Sequence, residues 1–347
     1  MESLRIMAIA KYKLFKLHFT SPLHVADRHE DDSNSLRTIQ SDTLYAALMS
    51  CLAKTGGTIP DDGDLGFTVS SMFPYFQRGK DDCPIYFFPM PMQSRLSNLA
   101  DVSMAKKVKR IQWVDAGLYP KVLSGDAFFD GTDEFYPYIQ ESYLTKSALP
   151  EDADGSKEFI RSEVSQRVTL QSRTGDEDAL PYYVDKILFR YESGLYFLAE
   201  GNIELLEKAL SLLSNEGLGT DRNVGFGFFD YATDDFQIEL PEDANHQIVL
   251  SLLIPESKEQ LSELLASEGV SYDFARRGGW ITTYPYNTLR KNAIYGFMPG
   301  SVFNLVLGHP CTIIGKTVNL KPEVGELTPN HSIWRNGKSI MLPIKLK

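Results

Sequence analysis

A glycine-rich segment that directly follows a predicted helix constrains the fold of this chain more than any other feature. Residues 203–213 (IELLEKALSLL) repeat apolar side chains at helical spacing, residues 217–227 contain four glycines, and residues 226–231 resemble a strand. Because glycine has no Cβ atom, backbone N–H groups in such a loop can approach an anion closely, and Arg222 adds a planar, permanent charge. The same glycines are also typical of a helix cap followed by a turn. The segment therefore predicts either an anion-binding loop or a cap.

Two nucleotide-binding motifs are excluded by their spacing. In a dinucleotide-binding motif a strand leads into the glycines and a helix leaves them, whereas here the order is reversed and Arg222 takes the place of the third glycine. Residues 315–317 (GKT) and 337–339 (GKS) resemble the end of a P-loop, but Pro310 and Ser332 replace the earlier glycine that each would need. The sequence therefore does not predict nucleotide hydrolysis.

The composition predicts a globular protein that folds without disulfide bonds or a structural metal. The 347 residues, 43% of them hydrophobic, are enough for a large core and for two domains or one elaborated domain. Cys51, Cys83 and Cys311 lie far apart and form no CxxC pair, so neither a disulfide framework nor a zinc site is indicated. The sequence shows neither a signal peptide nor an apolar run of about 18 residues. We expect a cytoplasmic protein without a cofactor, a bound metal or a membrane segment.

The distribution of charge matters more than its sum. A net charge of −11 argues against a protein whose whole surface binds nucleic acid, and the acidic residues lie in short loop-like tracts. Basic residues form three separate groups, which are Lys106, Lys107, Lys109 and Arg110; Arg161, Arg167 and Arg173; and Arg276, Arg277, Arg290 and Lys291. Such a group is most often a solvated surface. If the chain binds RNA, these few basic residues confine the binding face to a narrow part of the surface.

The order of the predicted elements indicates an α+β fold. The first two thirds contain a strand at 11–19, a helix at 43–53, an edge strand or extended segment at 85–92, a hairpin at 187–198, a helix at 203–213 and a strand at 226–231. Ser41 and Asp42 stand where the N-cap of the first helix belongs. This order predicts a ferredoxin-like (RRM-like) βαββαβ unit with a large insertion at about residues 90–185.

A second unit of the same kind is predicted in the C-terminal third. Its elements are a strand at 247–254, a capped helix at 257–267, an extended segment at 280–284 and strands at 301–307 and 340–346. The polar residues 241–246 separate the two units. We therefore expect two ferredoxin-like domains in tandem, at residues 1–241 and 242–347.

Several short motifs occur in an order that resembles the RAMP superfamily of CRISPR RNA-binding proteins, and within it the family of the fourth Csm subunit of type III-A effector complexes. The motifs are residues 21–24 (SPLH), 40–44 (QSDTL), the arginines between 161 and 173, 277–280 (RGGW), 298–303 (MPGSVF) and the glycine loop. The resemblance covers most of the chain.

The resemblance implies a non-catalytic subunit that clamps the repeat-derived 5′ handle of a guide RNA, which in these complexes is the crRNA. Its partners would be a large catalytic subunit with palm domains and an adjacent backbone RAMP subunit. The insertion would form a β-hairpin thumb that lies along the guide. The RNA-binding residues expected on this basis are Gly217, Gly219, Thr220, Asp221, Arg222, Asn223, Gly225, Gly227, His24, Ser41, Asp42, Arg161, Arg167, Arg173, Arg276, Arg277 and Lys291.

Aromatic side chains near these residues can supply stacking surfaces for unpaired bases, which single-stranded RNA binding requires. Tyr182 and Tyr183 lie beside the predicted thumb, and Phe226, Phe228 and Phe229 lie beside the glycine loop. Alternation favours core packing for Phe226 and Phe228.

Three other functions stay open at the level of sequence. A guide-processing endoribonuclease would use histidine as general acid or base, with His18, His24 and His29 as candidates. A metal site in residues 24–32 has two imidazoles and several carboxylates but no established ligand spacing. A protein-binding module without RNA would use the exposed acidic loops.

Overall fold

The protein is described here by a computed structural model, which covers residues 8–25, 35–92, 102–125, 138–151, 157–169, 180–266, 268–305 and 313–346. The helices are α1 (Ser41–Lys54), α2 (Val102–Lys109), α3 (Tyr119–Leu123), α4 (Ile203–Glu216) and α5 (Lys258–Leu264). The first eleven strands are β1 (Ala8–Phe19), β2 (Phe67–Val69), β3 (Phe73–Phe76), β4 (Ile85–Pro89), β5 (Trp113–Asp115), β6 (Ile139–Gln140), β7 (Tyr143–Leu144), β8 (Ile160–Thr169), β9 (Leu180–Phe189), β10 (Gly194–Gly201) and β11 (Phe229–Leu240). The others are β12 (His246–Val249), β13 (Phe274–Arg277), β14 (Ile294–Phe297), β15 (Val302–Asn304), β16 (Thr317–Asn319), β17 (Trp334–Asn336) and β18 (Met341–Ile344). The expected mixed α+β class is confirmed.

One nine-stranded sheet forms the centre of the molecule. Its order is β11-β1-β10-β3-β4-β5-β7-β6, and β2 pairs with β10 beside β3. β1 pairs antiparallel with β11 on one side and with β10 on the other, and the Phe15 and Phe197 rings stack across the second pair at 4.9 Å. α1 follows β1, and α4 connects β10 to β11, as in a βαββαβ unit.

The helices α1 and α4 lie against this sheet because their apolar side chains share one face. Leu44, Leu48 and Leu52 of α1 and Leu206 and Leu210 of α4 are buried in one core with Phe15 and Phe197. α4 begins where its periodicity predicts, and Asn202 caps it by accepting a hydrogen bond from the Leu205 amide at 3.2 Å.

The predicted N-cap of α1 is wrong by one to two residues. The helix begins at Ser41 with Gln40 at the N-cap position, and no side chain caps it. The Ser41 hydroxyl instead accepts a hydrogen bond from the Leu252 amide at 2.8 Å, and Asp42 binds two arginines described below. Tertiary contacts have therefore recruited two side chains of a type that otherwise caps helices.

Two strand predictions are corrected by the pairing. Residues 187–198 do not form one hairpin, because β9 pairs with β8 over ten residue pairs whereas β10 joins the central sheet. The strand at 85–92 is not at an edge, because β4 lies between β3 and β5. Pro89 is the last residue of β4, where its missing N–H removes little from the ladder.

The C-terminal part forms three small sheets and α5, and it shares a core with the central sheet. β12 lies between β15 and β18, while β13 pairs with β14 and β16 with β17. Ile248 and Leu342 of the C-terminal part belong to the same buried cluster as Tyr12, Leu14 and Tyr196. The two parts of the chain therefore pack as one body at this interface. Ser257 caps α5 as predicted, by accepting from the Gln260 amide at 3.2 Å.

Within the described ranges, no helix is both long enough and apolar enough to cross a bilayer.

We predict that Leu48→Ala lowers the free energy of unfolding by about 2–5 kcal/mol, because the fully buried Leu48 packs between α1 and the sheet. Urea denaturation should show a lower midpoint and an unchanged m-value. Ser50→Ala, at an exposed position of the same helix, should change stability by less than about 0.5 kcal/mol. Equal effects of the two substitutions would contradict the assigned face of α1.

Candidate nucleic-acid interface

The glycines at 217–227 let two stretches of backbone approach each other closely. Gly217 is the C-cap of α4 with φ 81°, and Gly219, Gly225 and Gly227 also have positive φ. A Cβ atom at Gly217 would lie 2.8 Å from the carbonyl oxygen of Phe226, and one at Gly227 would collide with the Leu218 carbonyl. The predicted cap is therefore present, and these glycines serve the packing of the loop itself.

Most amides of the loop are already used within the protein. Leu218 donates to Gly227, Thr220 donates to His24 at 2.9 Å, and Gly227 donates to Pro22 at 2.8 Å. The amides of Gly217, Val224, Gly225 and Phe226 also donate to backbone carbonyls. The amides of Gly219, Asp221, Arg222 and Asn223 donate to no part of the chain that the structure describes. The available donors are therefore concentrated at the tip.

The tip of the loop is its most accessible part. Thr220, Asn223 and Val224 are exposed, whereas Asp221 and Arg222 are half-buried. The guanidinium of Arg222 forms no ion pair with a described residue. Arg222 therefore combines a permanent charge with neighbouring unused amides, which is an arrangement suited to an anion.

The hairpin β8–β9 is docked on the glycine loop through Arg167. Its Nη1 atom donates to the Asp221 carboxylate at 2.6 Å, and its guanidinium lies 4.8 Å from the centre of the Phe226 ring. Phe226 itself is buried, as alternation predicted, and Phe229 is too. Arg167 and Asp221 thus neutralise each other in this conformation and fix the hairpin beside the loop.

The outer part of the hairpin exposes aromatic and apolar side chains. Tyr183 is 55% exposed, Tyr182 is 37% exposed, and Val164 and Val168 are each more than half exposed. Arg161 lies nearer the base, opposite Leu188 in the β8–β9 register. Arg173 falls outside the described residues, as does His29.

His24 joins the segment after β1 to both the hairpin and the glycine loop. Its ring is buried, with Nδ1 2.6 Å from the carbonyl oxygen of Asp185 on β9, and its own carbonyl accepts from Thr220. The Asp185 carboxylate accepts from the Ser35 amide at 2.9 Å and from the Ser162 hydroxyl at 2.5 Å. Asp185, which the sequence analysis missed, therefore joins His24 and Ser35 to the hairpin, and the His24 carbonyl joins this segment to the glycine loop.

Asp42 lies in the interior at the start of α1, where two arginines of the C-terminal part enclose it. Arg277 donates to it from Nε at 2.9 Å and from Nη2 at 3.1 Å, and Arg335 donates from Nη1 at 2.6 Å. Burial by itself raises the pKa of Asp42, but the two guanidiniums outweigh it and hold the pKa below its usual value. Asp42 and the buried Ser41 thus have structural roles and present no accessible surface to RNA.

The remaining basic residues of this region differ in exposure. Arg276 is exposed on β13, whereas Arg277 on the same strand is largely buried against Asp42. Burial and the nearby Arg335 lower the pKa of Lys291 to about 8, and Asp42 opposes this shift. Three cations therefore surround one carboxylate where α1 meets the C-terminal part.

Two solved structures share this architecture over nearly the whole chain. A chain of a Csm3–Csm4 subcomplex from a type III-A CRISPR–Cas interference complex superposes with a TM-score of 0.61 at 19% identity, covering 97% of this chain and all of that chain. A chain of a Csm1–Csm4 cassette gives a TM-score of 0.58 at 18% identity, covering 97% and 99%. The fold is thus of the class found in protein subunits of type III CRISPR complexes.

Comparisons of the amino-acid sequence with known proteins point to the Csm4 proteins. Residues 242–344 match the family model of the CRISPR Csm4 C-terminal domain. The Mycobacterium tuberculosis CRISPR system protein Csm4 is 29% identical over 303 residues, which are 84% of this chain and 88% of that protein. The corresponding Thermococcus onnurineus protein is 24% identical over 307 residues, with 83% and 92% covered. The chain is therefore similar to Csm4 proteins over most of its length, and its C-terminal part matches the Csm4 C-terminal domain, which confirms the resemblance inferred from the sequence.

We predict that Asp42→Asn costs about 3–5 kcal/mol of stability at pH 7, because it leaves two buried guanidiniums without a counter-charge. The folded pKa of Asp42 lies below its unfolded value, so its contribution is complete above about pH 4 and is lost as the pH falls through the folded pKa. The stability difference between the two proteins should therefore shrink in acid.

Urea denaturation of both proteins at several pH values measures this difference. Asp61→Asn, which removes one exposed carboxylate, should change stability by less than about 0.5 kcal/mol. A loss for Asp42→Asn no larger than that of this control would contradict the structural role of Asp42.

Proposed function

We propose that this chain is a non-catalytic RNA-binding subunit of a type III-A CRISPR interference complex, and that it holds the 5′ repeat-derived handle of the guide RNA. The observation that carries the proposal is the tip of the glycine loop, where the unused amides of Gly219 and residues 221–223 surround Arg222. Phosphate groups are bound in other proteins by the same combination of backbone N–H groups and a guanidinium.

The docked hairpin supports a role beside the loop. Arg167 ties it to Asp221, so an RNA strand on the loop would meet Tyr182, which pairs with Arg167 on the same face of the hairpin, whereas Tyr183 lies on the opposite face. Exposed aromatic rings can stack on unpaired bases, at roughly 1–3 kcal/mol per base. We propose that this hairpin is the thumb along which the guide lies, with Arg161 and Arg173 contributing charge.

The partners are inferred from relatives. Similar chains were crystallised in a Csm1–Csm4 cassette and in a Csm3–Csm4 subcomplex. We propose that this chain likewise docks a large catalytic subunit and contacts an adjacent backbone RAMP subunit. The chain as a whole carries a net charge of −11, so RNA binding is confined to a narrow face.

The proposal does not extend to RNA cleavage. His24, one of the three histidines considered as general acid or base, has a buried ring 2.6 Å from a backbone carbonyl, and its main-chain oxygen accepts from Thr220. A general base must reach the proton that it abstracts. His24 in this position supports the packing of the loop and not the chemistry of an endoribonuclease.

The domain arrangement is part of the same proposal. The order β11-β1-β10-β3 with α1 and α4, and the order β18-β12-β15 with α5, support two ferredoxin-like units in tandem, divided near residue 242. α5 is the one α-helix in the described segments of the C-terminal unit, which makes that unit less regular than the first.

We predict that Arg222→Ala weakens binding of guide RNA that carries the 5′ handle and reduces the slope of log affinity against log salt by about 0.7, the value for one phosphate contact on a single strand. Fluorescence anisotropy of a labelled guide at several salt concentrations measures both quantities. Lys258→Ala removes the same charge from the exposed start of α5 and should leave both unchanged. Unchanged affinity and slope in folded Arg222→Ala protein would contradict the assignment of the loop.

A further inference from the structure

The antiparallel ribbon β13–β14 presents a cluster of aromatic side chains to solvent. Tyr295 is 60% exposed, Phe274 is 55% exposed and Tyr272, just before β13, is 44% exposed. Large aromatic side chains exposed together on one face are unusual in a folded protein and mark a surface that binds something.

The exposed residues share one face of the ribbon and include a cation. Arg276 pairs with Tyr295 across the two strands, and Phe274 lies two residues before Arg276 on the same side. The rings of Phe274 and Tyr295 meet edge to face, with centroids 5.8 Å apart. The face therefore presents the adjacent rings of Phe274 and Tyr295 beside the exposed guanidinium of Arg276.

The opposite face of the ribbon is fixed to the protein. A Cβ atom at Gly296 would lie 2.9 Å from Leu252 Cγ, so β14 packs directly on that side chain. Arg277 binds Asp42 of α1, and the Phe297 amide donates to Leu253 at 2.8 Å. The backbone that carries the exposed rings is thus fixed to the protein before any ligand arrives, which reduces the entropy lost on binding.

Charge favours an anionic occupant. The chain as a whole carries −11, yet Arg276 on the ribbon and Arg290 in the loop that connects its strands are both exposed. Aromatic faces interleaved with basic side chains are the general means of holding unpaired RNA, since rings stack on bases and cations contact phosphates.

We propose that the outer face of β13–β14 is a second RNA contact, at which an unpaired nucleotide stacks on Tyr295 and Phe274 while Arg276 contacts its phosphate. The site is separate from the glycine loop, and the inference rests on the proposed function only in requiring that the chain binds RNA.

Binding of a 20-nucleotide single-stranded oligo(U), without a handle, to the full-length chain tests the proposal. Tyr295→Ala should weaken binding about 10-fold, whereas Tyr295→Phe, which keeps the ring, should bind as the unaltered protein does. Tyr295→Leu keeps apolar bulk without a π face and should behave like Tyr295→Ala. Arg276→Ala should reduce the salt slope by about 0.7. A duplex RNA of equal length should not compete, because its bases are not free to stack.

Two results would overturn the proposal. Binding that is unchanged in Tyr295→Ala would show that the ring does not contact RNA, and full binding by Tyr295→Leu would show that no base stacks on this ring. Thermal unfolding of each variant checks that it is folded. Should Tyr295→Ala be unfolded, Tyr295→Leu against Tyr295→Phe still decides between the alternatives.

The same variants, measured with handle-bearing guide RNA beside Arg222→Ala, separate the two proposals. A loss with Arg222→Ala but not with Tyr295→Ala refutes the ribbon contact alone. A loss with Tyr295→Ala but not with Arg222→Ala refutes the glycine-loop assignment alone.

Discussion

The buried carboxylate of Asp42 is the interaction on which the relation between the two parts of the chain depends. It lies in the first turn of α1 and receives three hydrogen bonds from Arg277 and Arg335, which are 235 and 293 residues away in the sequence. A buried ion pair does not by itself stabilise a fold more than apolar residues would, but one partner without the other is strongly unfavourable. The C-terminal part therefore has one favourable position against α1.

α1 connects this junction to the proposed RNA-binding loop. Lys54 in its last turn pairs with Glu216, the last residue of α4, immediately before the glycine loop. The 14 residues of α1 span about 20 Å at 1.5 Å per residue. The glycine loop and the β13–β14 ribbon thus lie near opposite ends of α1, and an RNA strand that contacts both would run along the face between them.

The elements that the sequence predicted well are those whose apolar spacing fixes the burial of one face. α4, α5 with its Ser257 cap, and β1 follow from spacing because each buries one stripe of side chains. Pairing between distant strands was missed, since alternation over 187–198 does not reveal that β9 belongs to β8 and β10 to the central sheet. Strand partners are decided by tertiary packing, which local patterns do not contain.

For the candidate site, the sequence predicted the position of the glycine loop but not the contacts that its residues make. Glycine spacing located the segment, yet the contacts show that Gly217, Gly219 and Gly227 accommodate neighbouring carbonyls and leave only the tip amides available. Ser41 and Asp42 were expected at a helix N-cap and in an RNA groove, and both lie buried at an internal junction. Arg335 gave no local signal, because its significance arises only when β17 is placed beside α1.

Amide hydrogen exchange at single-residue resolution, with and without handle-bearing guide RNA, tests the central claim most directly. In the protein alone, the amides of Gly219 and residues 221–223 should exchange fast, while those of Gly225 and Gly227, which already donate to carbonyls, should exchange more slowly. RNA should slow the first set and leave the second nearly unchanged. Exchange at the tip that RNA does not alter, with protection elsewhere on the chain, would contradict the account.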